Sequence, residues 1–476
     1  MRITLECGGR LAVVTAAALI AGCSTTHPWL NAPLPPLAET DVGSGIGSMP
    51  TAGPKKSPSV ITAVALSGGG ARAAAFGLGV LEEMKATRIE VDGRKTTLLD
   101  EVELISGVSG GSILASYYAA FGDETFTRFE PDFLDTDFQS RLIGYALAPV
   151  GSYRLSSPWY GRSNALEDRL GSVFRGLTFG DLKARGRGPR LLVTATDLTT
   201  GAPFEFTPEQ FALICSDLDS VPLSFAVAAS SSVPVLLSPM TLRNYAGSCP
   251  QSDKVYDEAM ADRNLAARLL RMIAKSYHDS GERPYLHLVD GGLADNLGVR
   301  GLLDHVTARG SLRDSFVQMA PGSVHRVVLV SVNSERDLGE RLDDDARVPN
   351  TGQVLDALVF GAGSRATAET SAMVVDAAQR LARELAADRG SAGSPFAADA
   401  ELFVIGIRLR DAPDGMHRRE LLQVPTALTI SPGQVHDLRE AGRRTLRASP
   451  EFQDLLRSLT RLSSASAANG VDNSTR

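Results

Sequence analysis

The sequence predicts an α/β fold built on a largely parallel sheet. Three observations predict it. An apolar run, Val60-Ile61-Thr62-Ala63-Val64-Ala65-Leu66, ends in Ser67-Gly68-Gly69-Gly70 and passes into a helical stretch from Ala71 to about Lys85. The same order recurs at Val102-Glu103-Leu104-Ile105-Ser106, then Gly107-Val108-Ser109-Gly110-Gly111, then a helix to about Ala120. Further strand candidates at 190–196, 285–289, 326–332 and 402–407 alternate with helical patterns, including a long one near 354–387. Alternation of this kind marks strand–helix–strand units with parallel strands.

The elements follow in chain order. Arg2 and Arg10 precede or border Leu11–Ala21, an uncharged, mostly apolar run of 11 residues. Such a run is too short to span a hydrocarbon layer of ~30 Å and suits a signal-peptide core. It ends in Leu19-Ile20-Ala21-Gly22-Cys23, which resembles a bacterial lipobox, with residues 1–22 as signal peptide and Cys23 as the lipidated residue. Plain secretion with cleavage near Gly22, or a buried apolar helix, are the alternatives. Ser24 after the cysteine, by resemblance to Gram-negative lipoproteins, implies the outer membrane, facing the periplasm. Residues 23–59 read as a lipidated cysteine and an extended tether, with seven prolines in 24–59 and no apolar periodicity. Residues 60–462 read as one domain, with the motifs concentrated in 60–310, and 463–476 as a disordered tail.

Composition excludes several classes. Over 476 residues, 43% are hydrophobic and 22% charged, enough for a large core and unlike a disordered or collagenous chain. Lys plus Arg is 48 against 55 for Asp plus Glu, a net charge of -7, so no basic surplus favours nucleic acid. Four cysteines are too few for a disulfide scaffold, and no Cys-x-x-Cys pair suggests structural zinc. Asp343-Asp344-Asp345 reads as a solvated loop rather than a calcium site, and no metal or cofactor is expected. The uncharged stretch from Ser220 to Leu242 contains Pro222, Pro234 and Pro239, which suits a pocket-lining helix and loop better than a membrane span.

Three motifs carry chemistry. Gly107-Val108-Ser109-Gly110-Gly111 is Gly-x-Ser-x-Gly between a strand and a helix, the setting of a nucleophile on a sharp turn. Gly68, Gly69 and Gly70 after a strand suit backbone N–H groups aimed at an oxyanion. They equally suit a phosphate cradle, since Gly68-x-Gly70-x-x-Ala73 satisfies a relaxed dinucleotide pattern with Asp92 about 20 residues on, so a nucleotide-binding regulator is an alternative to an enzyme, as is a catalytically silent envelope lipoprotein. Arg72 is a candidate for an anionic head group or for a surface ion pair. Asp290, in Val289-Asp290-Gly291-Gly292, stands at a strand end as a candidate acid or a turn former.

In combination and in order, Gly68-Gly69-Gly70-Ala71-Arg72, Gly107-x-Ser109-x-Gly111 and Asp290-Gly291-Gly292 resemble the patatin-like phospholipase family. Ala229-Ser230-Ser231-Ser232-Val233-Pro234 is similar to the family's Ala-Ser-rich segment. Ser67 and Ala73 depart from the family's usual Asp and Gly at those positions. The resemblance implies a three-layer α/β/α fold with a mainly parallel sheet. It implies a lipid acyl hydrolase of phospholipase A or lysophospholipase type, with Ser109 as nucleophile, Asp290 as base and no histidine. Gly68, Gly69 and Gly70 would form the oxyanion hole, and membrane lipids would be the substrate. The seven histidines, His27, His278, His287, His305, His325, His417 and His436, sit in no recognisable catalytic loop and are expected to be structural or exposed. In an oxidising periplasm, Cys215 and Cys249 are expected to pair.

Overall fold

The computed structural model describes residues 27–35, 59–249, 264–337, 346–357, 362–413 and 415–472. The expectations for residues 1–22, for Cys23 and for Asp343–Asp345 lie outside them. The strands are β1 (Ala32–Pro33), β2 (Val60–Leu66), β3 (Arg88–Val91), β4 (Arg94–Thr97), β5 (Val102–Val108), β6 (Arg190–Asp197), β7 (Pro203–Glu205), β8 (Ser216–Asp217), β9 (Met240–Arg243), β10 (Tyr285–Val289), β11 (Val324–Asn333) and β12 (Phe396–Arg408). The helices used below are α1 (Gly70–Ala86), α2 (Gly110–Phe121), α3 (Phe138–Leu147), α4 (Pro149–Leu155), α5 (Arg162–Val173), α6 (Leu223–Ser230), α7 (Arg300–Arg309), α8 (Ala362–Asp388), α9 (Pro432–Ala448) and α10 (Pro450–Asp472).

The main sheet has eight strands in the order β12-β11-β2-β5-β6-β10-β9, with β7 also paired to β6. From β12 to β6 the pairings are parallel, and β10, β9 and β7 add antiparallel pairings. A parallel sheet is covered on both faces, so its central strands are mainly apolar. β2 shows the alternation directly. Val60, Val64 and Leu66 face a layer that includes α1, α2 and α9, whereas Ile61 and Ala65 face α7 and α8. Two helical layers therefore enclose the sheet, giving the three-layer α/β/α arrangement.

Several local features differ from the sequence reading. Asp92 is not beside the glycine loop. Asp92 and Gly93, at φ 50° and 71°, turn the β3–β4 hairpin, and Asp92 accepts a 2.6 Å hydrogen bond from Ser59 Oγ. Asp-Gly suits a two-residue hairpin because both positions need positive φ, and the dinucleotide pattern loses its acid. Part of the expected tether is docked. Ala32–Pro33 pairs with Ser216–Asp217, and the buried Asn31 amide bonds Ser216 Oγ and the Arg243 carbonyl, each at 2.9 Å. Those backbone and side-chain partners offset the lack of apolar periodicity. The expected disordered tail from 463 instead continues α10 as far as Asp472. Its Ser- and Ala-rich composition lacks a helix breaker until Gly470. The long pattern near 354–387 is two described helices, Thr351–Asp356 and α8. Cys215 and Cys249 are joined by a disulfide, their Cα atoms 5.8 Å apart.

Candidate active site

Ser109 sits between the end of β5 and the first turn of α2 with φ 49° and ψ -123°. A non-glycine residue is rarely held there, at a cost of about 1–3 kcal/mol. The neighbouring glycines make the turn feasible. A Cβ on Gly107 would lie 2.6 Å from Ser112 Cα, and one on Gly111 would lie 2.4 Å from the Leu66 carbonyl oxygen. Both contacts are with backbone, of α2 and of β2 respectively, which leaves no room for a side chain at either glycine.

Asp290 reaches the same place from the opposite direction. β10 is antiparallel to β6, pairing Val289 with Thr196, while β5 pairs Val108 with Thr194 in parallel. The two strand ends converge on β6 from opposite sides. Asp290 is buried, and its Oδ1 accepts the Gly292 N–H at 2.7 Å. The Ser109 hydroxyl donates toward the same carboxylate. Burial pushes the carboxyl from an ordinary 3.8 up to about 6, against the opposing pull of the Gly292 N–H and the Ser109 hydroxyl.

The Ala-Ser-rich segment holds both residues. Ser230 Oγ accepts the Ser109 N–H at 2.8 Å and donates to the Thr194 carbonyl at 2.6 Å. The carbonyls of Ser232 and Ser230 accept the N–H groups of Asp290 and Gly291 at 2.9 and 3.1 Å. Sequence reasoning found the segment but not the work of Ser230, because three consecutive serines look alike until their neighbours are known. α6 itself is fully buried and lines no part of the pocket, so only Val233 and Pro234 from the Ser220–Leu242 stretch reach it.

Around Ser109 and Asp290 lies a cavity of about 390 Å³ lined by Gly68, Gly69, Val233, Pro234, Leu293 and Asn296, with Arg72, Arg336, Arg408 and Arg410 on its polar side. The glycine loop is divided in its use. The Gly68 N–H donates to the Asn296 carbonyl at 2.9 Å, so Gly68 is not a free oxyanion donor. No described acceptor takes the Gly69 N–H. Gly70 opens α1, where the first N–H groups lack intrahelical partners. Ser67, in place of the family's usual Asp, accepts the Ser334 N–H at 2.9 Å and ties the loop to the end of β11.

Arg72 departs from both sequence readings. It is 3% exposed, and its guanidinium donates to the carbonyls of Ser334 at 2.9 Å and Val424 at 2.5 Å. Burial, and then the nearby Arg336, lower it to about 9. Its donors clamp the glycine loop's helix to two distant segments, which leaves it a poor ligand for a head group. Arg408 pairs with Asp411 at 2.7 Å, and Arg410 pairs with Glu335. Arg336 has no carboxylate partner among the described residues, and its buried Nε has no hydrogen-bond acceptor. No sequence motif marks it.

No histidine with a described side chain lines this cavity. His305 pairs with Glu205 at 3.0 Å, His325 with Asp399 at 2.6 Å, and His287 with Thr241 at 3.1 Å. Asp295 organises the loop after Asp290, accepting the N–H groups of Leu297 at 3.2 Å and Arg300 at 2.7 Å.

Comparison with solved structures finds human GIVD cytosolic phospholipase A2, at 12% identity and a TM-score of 0.44, covering 84% of this chain and 62% of that one. The same enzyme in complex with methyl gamma-linolenyl fluorophosphonate matches at 13% identity and a TM-score of 0.40, over 85% of this chain and 59% of that one. VipD from Legionella pneumophila matches at 11% and 0.29, over 82% of this chain and 66% of that one. This chain thus spans about three fifths of the length of the human enzyme. A search of curated protein sequences finds no match. The profile of patatin-like phospholipases matches residues 64–303, more than half of the sequence and the stretch that contributes the glycine loop, the serine turn and the aspartate loop. The chain therefore belongs to the patatin-like phospholipase family.

Proposed function

We propose that the protein is a serine esterase of phospholipase A or lysophospholipase type that works through a Ser109–Asp290 dyad and an acyl-enzyme. One observation carries this reading: the Ser109 hydroxyl faces a buried carboxylate, raised to about 6, in a cavity that no described histidine lines. Ser109 Oγ attacks the ester carbonyl carbon as its proton passes to Asp290. An ordinary carboxylate is a weak base for a serine hydroxyl, so attack and proton transfer are concerted, and burial of Asp290 narrows the mismatch. The oxyanion is held by the N–H groups of Gly69 and Gly70, with the start of α2 adding positive potential. Collapse breaks the bond to the alcohol, which takes the proton from Asp290. Water then attacks the acyl carbon and gives its proton to Asp290, which passes it to Ser109 Oγ as the bond from Ser109 to the acyl carbon breaks, freeing the fatty acid and restoring the serine and the carboxylate. Val233, Pro234 and Leu293 offer an apolar wall for the acyl chain, and Arg336 offers a positive charge for an anionic head group.

Lipidation at Cys23 and residence on the outer membrane facing the periplasm belong to the same proposal. The apolar run ending in Cys23 supports them. Cys23→Ala would then abolish incorporation of labelled fatty acid, and unchanged incorporation would reject the anchor. For the chemistry, a fluorophosphonate should label Ser109 and spare Ser109→Ala. Each single histidine variant should keep substantial ester hydrolysis. A folded histidine variant that is dead, beside an active Asp290→Asn, would replace the dyad with a triad.

A further inference from the structure

The stretch from Phe138 to Leu166 contains Arg141, Arg154 and Arg162 and no Asp, Glu or Lys, in a chain whose net charge is -7. It forms the α3–α4 pair and the start of α5. Ile143, Leu147, Val150, Tyr153 and Trp159 all project into solvent from it, at 53%, 78%, 66%, 47% and 45% exposure. Val235 and Leu236, at 56% and 62%, extend the same apolar surface toward the pocket. With Leu30, these make up half of the sixteen large hydrophobic residues exposed among the described residues, which is clustering rather than scatter.

Hydrogen bonds tie the pieces together. The Tyr145 and Tyr160 hydroxyls are 3.3 Å apart, joining α3 to the chain entering α5. Arg162 donates to the Val235 carbonyl at 2.8 Å, and Ser163 Oγ to the Ser238 carbonyl at 2.5 Å. Val235 is held at φ 72°, an unfavourable place for a β-branched residue, directly after the Val233 and Pro234 that line the Ser109 cavity. Arg154 is neutralised by Asp168 at 2.7 Å. Arg141 and Arg162 have no carboxylate partner among the described residues, so the face keeps a positive character.

The docked amino-terminal segment ends beside it. His27, Pro28 and Leu30 share a cleft with Tyr153, Trp159 and Tyr160. Cys23 is four residues before His27, and an extended chain covers at most ~3.6 Å per residue, so a lipid there stays within about 15 Å.

We propose that this face is the membrane-docking surface, which seats in the interface of a phospholipid bilayer containing anionic lipid and holds the mouth of the Ser109 cavity against it. Aliphatic and aromatic side chains beside Arg141 and Arg162, with the exposed Asp168 paired to Arg154, are a composition that enters headgroup–acyl boundaries. The orientation rests on the esterase reading above, but the binding does not.

The test uses the chain from residue 23 to 476 with Cys23→Ser, which removes any lipid anchor. Binding is measured by flotation with vesicles of phosphatidylethanolamine and phosphatidylglycerol. The chain has only two tryptophans, Trp29 and Trp159, and Trp29→Phe isolates Trp159. We expect Trp159 emission to shift to the blue on vesicles and to be quenched by brominated acyl chains. Ile143→Ser with Leu147→Ser and Val150→Ser should weaken vesicle partitioning at least about tenfold and leave hydrolysis of a soluble short-chain ester unchanged. Leu147→Ser alone should show a smaller loss if the triple variant folds poorly. Undiminished flotation of the folded triple variant, or an unshifted Trp159, overturns the proposal. A parent dimer that the triple variant abolishes, without vesicle binding, overturns it in favour of a second copy. Absence of ester hydrolysis in a vesicle-binding parent would sink the esterase reading and leave the docking surface standing.

Discussion

Replacing Asp290 by Asn should remove activity and add stability, and the two effects have one cause. In the folded chain burial lifts the Asp290 carboxyl from 3.8 to about 6. The folded state therefore holds that proton more tightly than the unfolded state does. The stabilising contribution is complete below pH 3.8 and is lost as pH rises through about 6. At pH 8 the buried charge costs roughly 3 kcal/mol, at ~1.4 kcal/mol for each unit between the two values. Asn keeps the volume and an oxygen for the Gly292 N–H but has no charge. Asp290→Asn should thus be more stable by up to roughly 3 kcal/mol at pH 8, shrinking to below about 1 kcal/mol by pH 4. Its ester turnover should fall by about 10²–10⁴-fold, the usual scale for loss of a general base. Urea unfolding at both pH values and steady-state hydrolysis of a short-chain ester measure the two effects. A folded variant with turnover within tenfold of the parent would refute the role of Asp290 as base. An equal stability gain at pH 4 and pH 8 would refute the electrostatic origin of the strain.

The remaining predictions concern the same site and its supports. kcat/KM for an uncharged ester should fall about tenfold per pH unit below about 6. Asp295 lies in the same range through burial, so Asp295→Asn should keep that acid limb if Asp290 causes it; a vanished limb would assign the titration to Asp295. Ser230→Ala strands the buried N–H of Ser109 and should cost about 1–3 kcal/mol in stability while lowering kcat more than it raises KM; an unchanged kcat in a destabilised protein would reduce Ser230 to packing. Arg336→Gln should raise KM for anionic lipids and not for neutral short-chain esters, whereas Arg72→Gln should destabilise the fold for every substrate; the reverse pattern would return head-group binding to Arg72. Reducing the Cys215–Cys249 bond, which closes a sequence separation of 34, should lower stability by roughly 3–4 kcal/mol, read from unfolding with and without reductant.

The α/β layering, the serine turn and the aspartate loop were legible because each depends on local chemistry. A parallel strand buried on both faces is mainly apolar, as in Val60–Leu66 and Val102–Val108. A serine at φ 49° needs small neighbours in sequence, and these are visible as Gly107, Gly110 and Gly111. The Cys215–Cys249 disulfide matches the pairing expected of the two cysteines left outside the amino-terminal segment. What the chain could not display was where distant backbone goes. Asp290 arrives on an antiparallel strand rather than at the end of a parallel one, a pairing set by the register of β10 on β6. Gly68 looks like an oxyanion donor until the Asn296 carbonyl, 228 positions later in the sequence, takes its N–H. Arg72 looks like a head-group ligand until carbonyls at Ser334 and Val424 satisfy its guanidinium. Arg336 has no motif, because only the packing that encloses Arg72 leaves it facing the cavity. Residue type and short spacing thus determined the strands, the turn and the places of Ser109 and Asp290, the nucleophile and acid we propose. Donors and charges were assigned by tertiary structure alone, since a buried polar group bonds whatever partner the fold brings within about 3 Å.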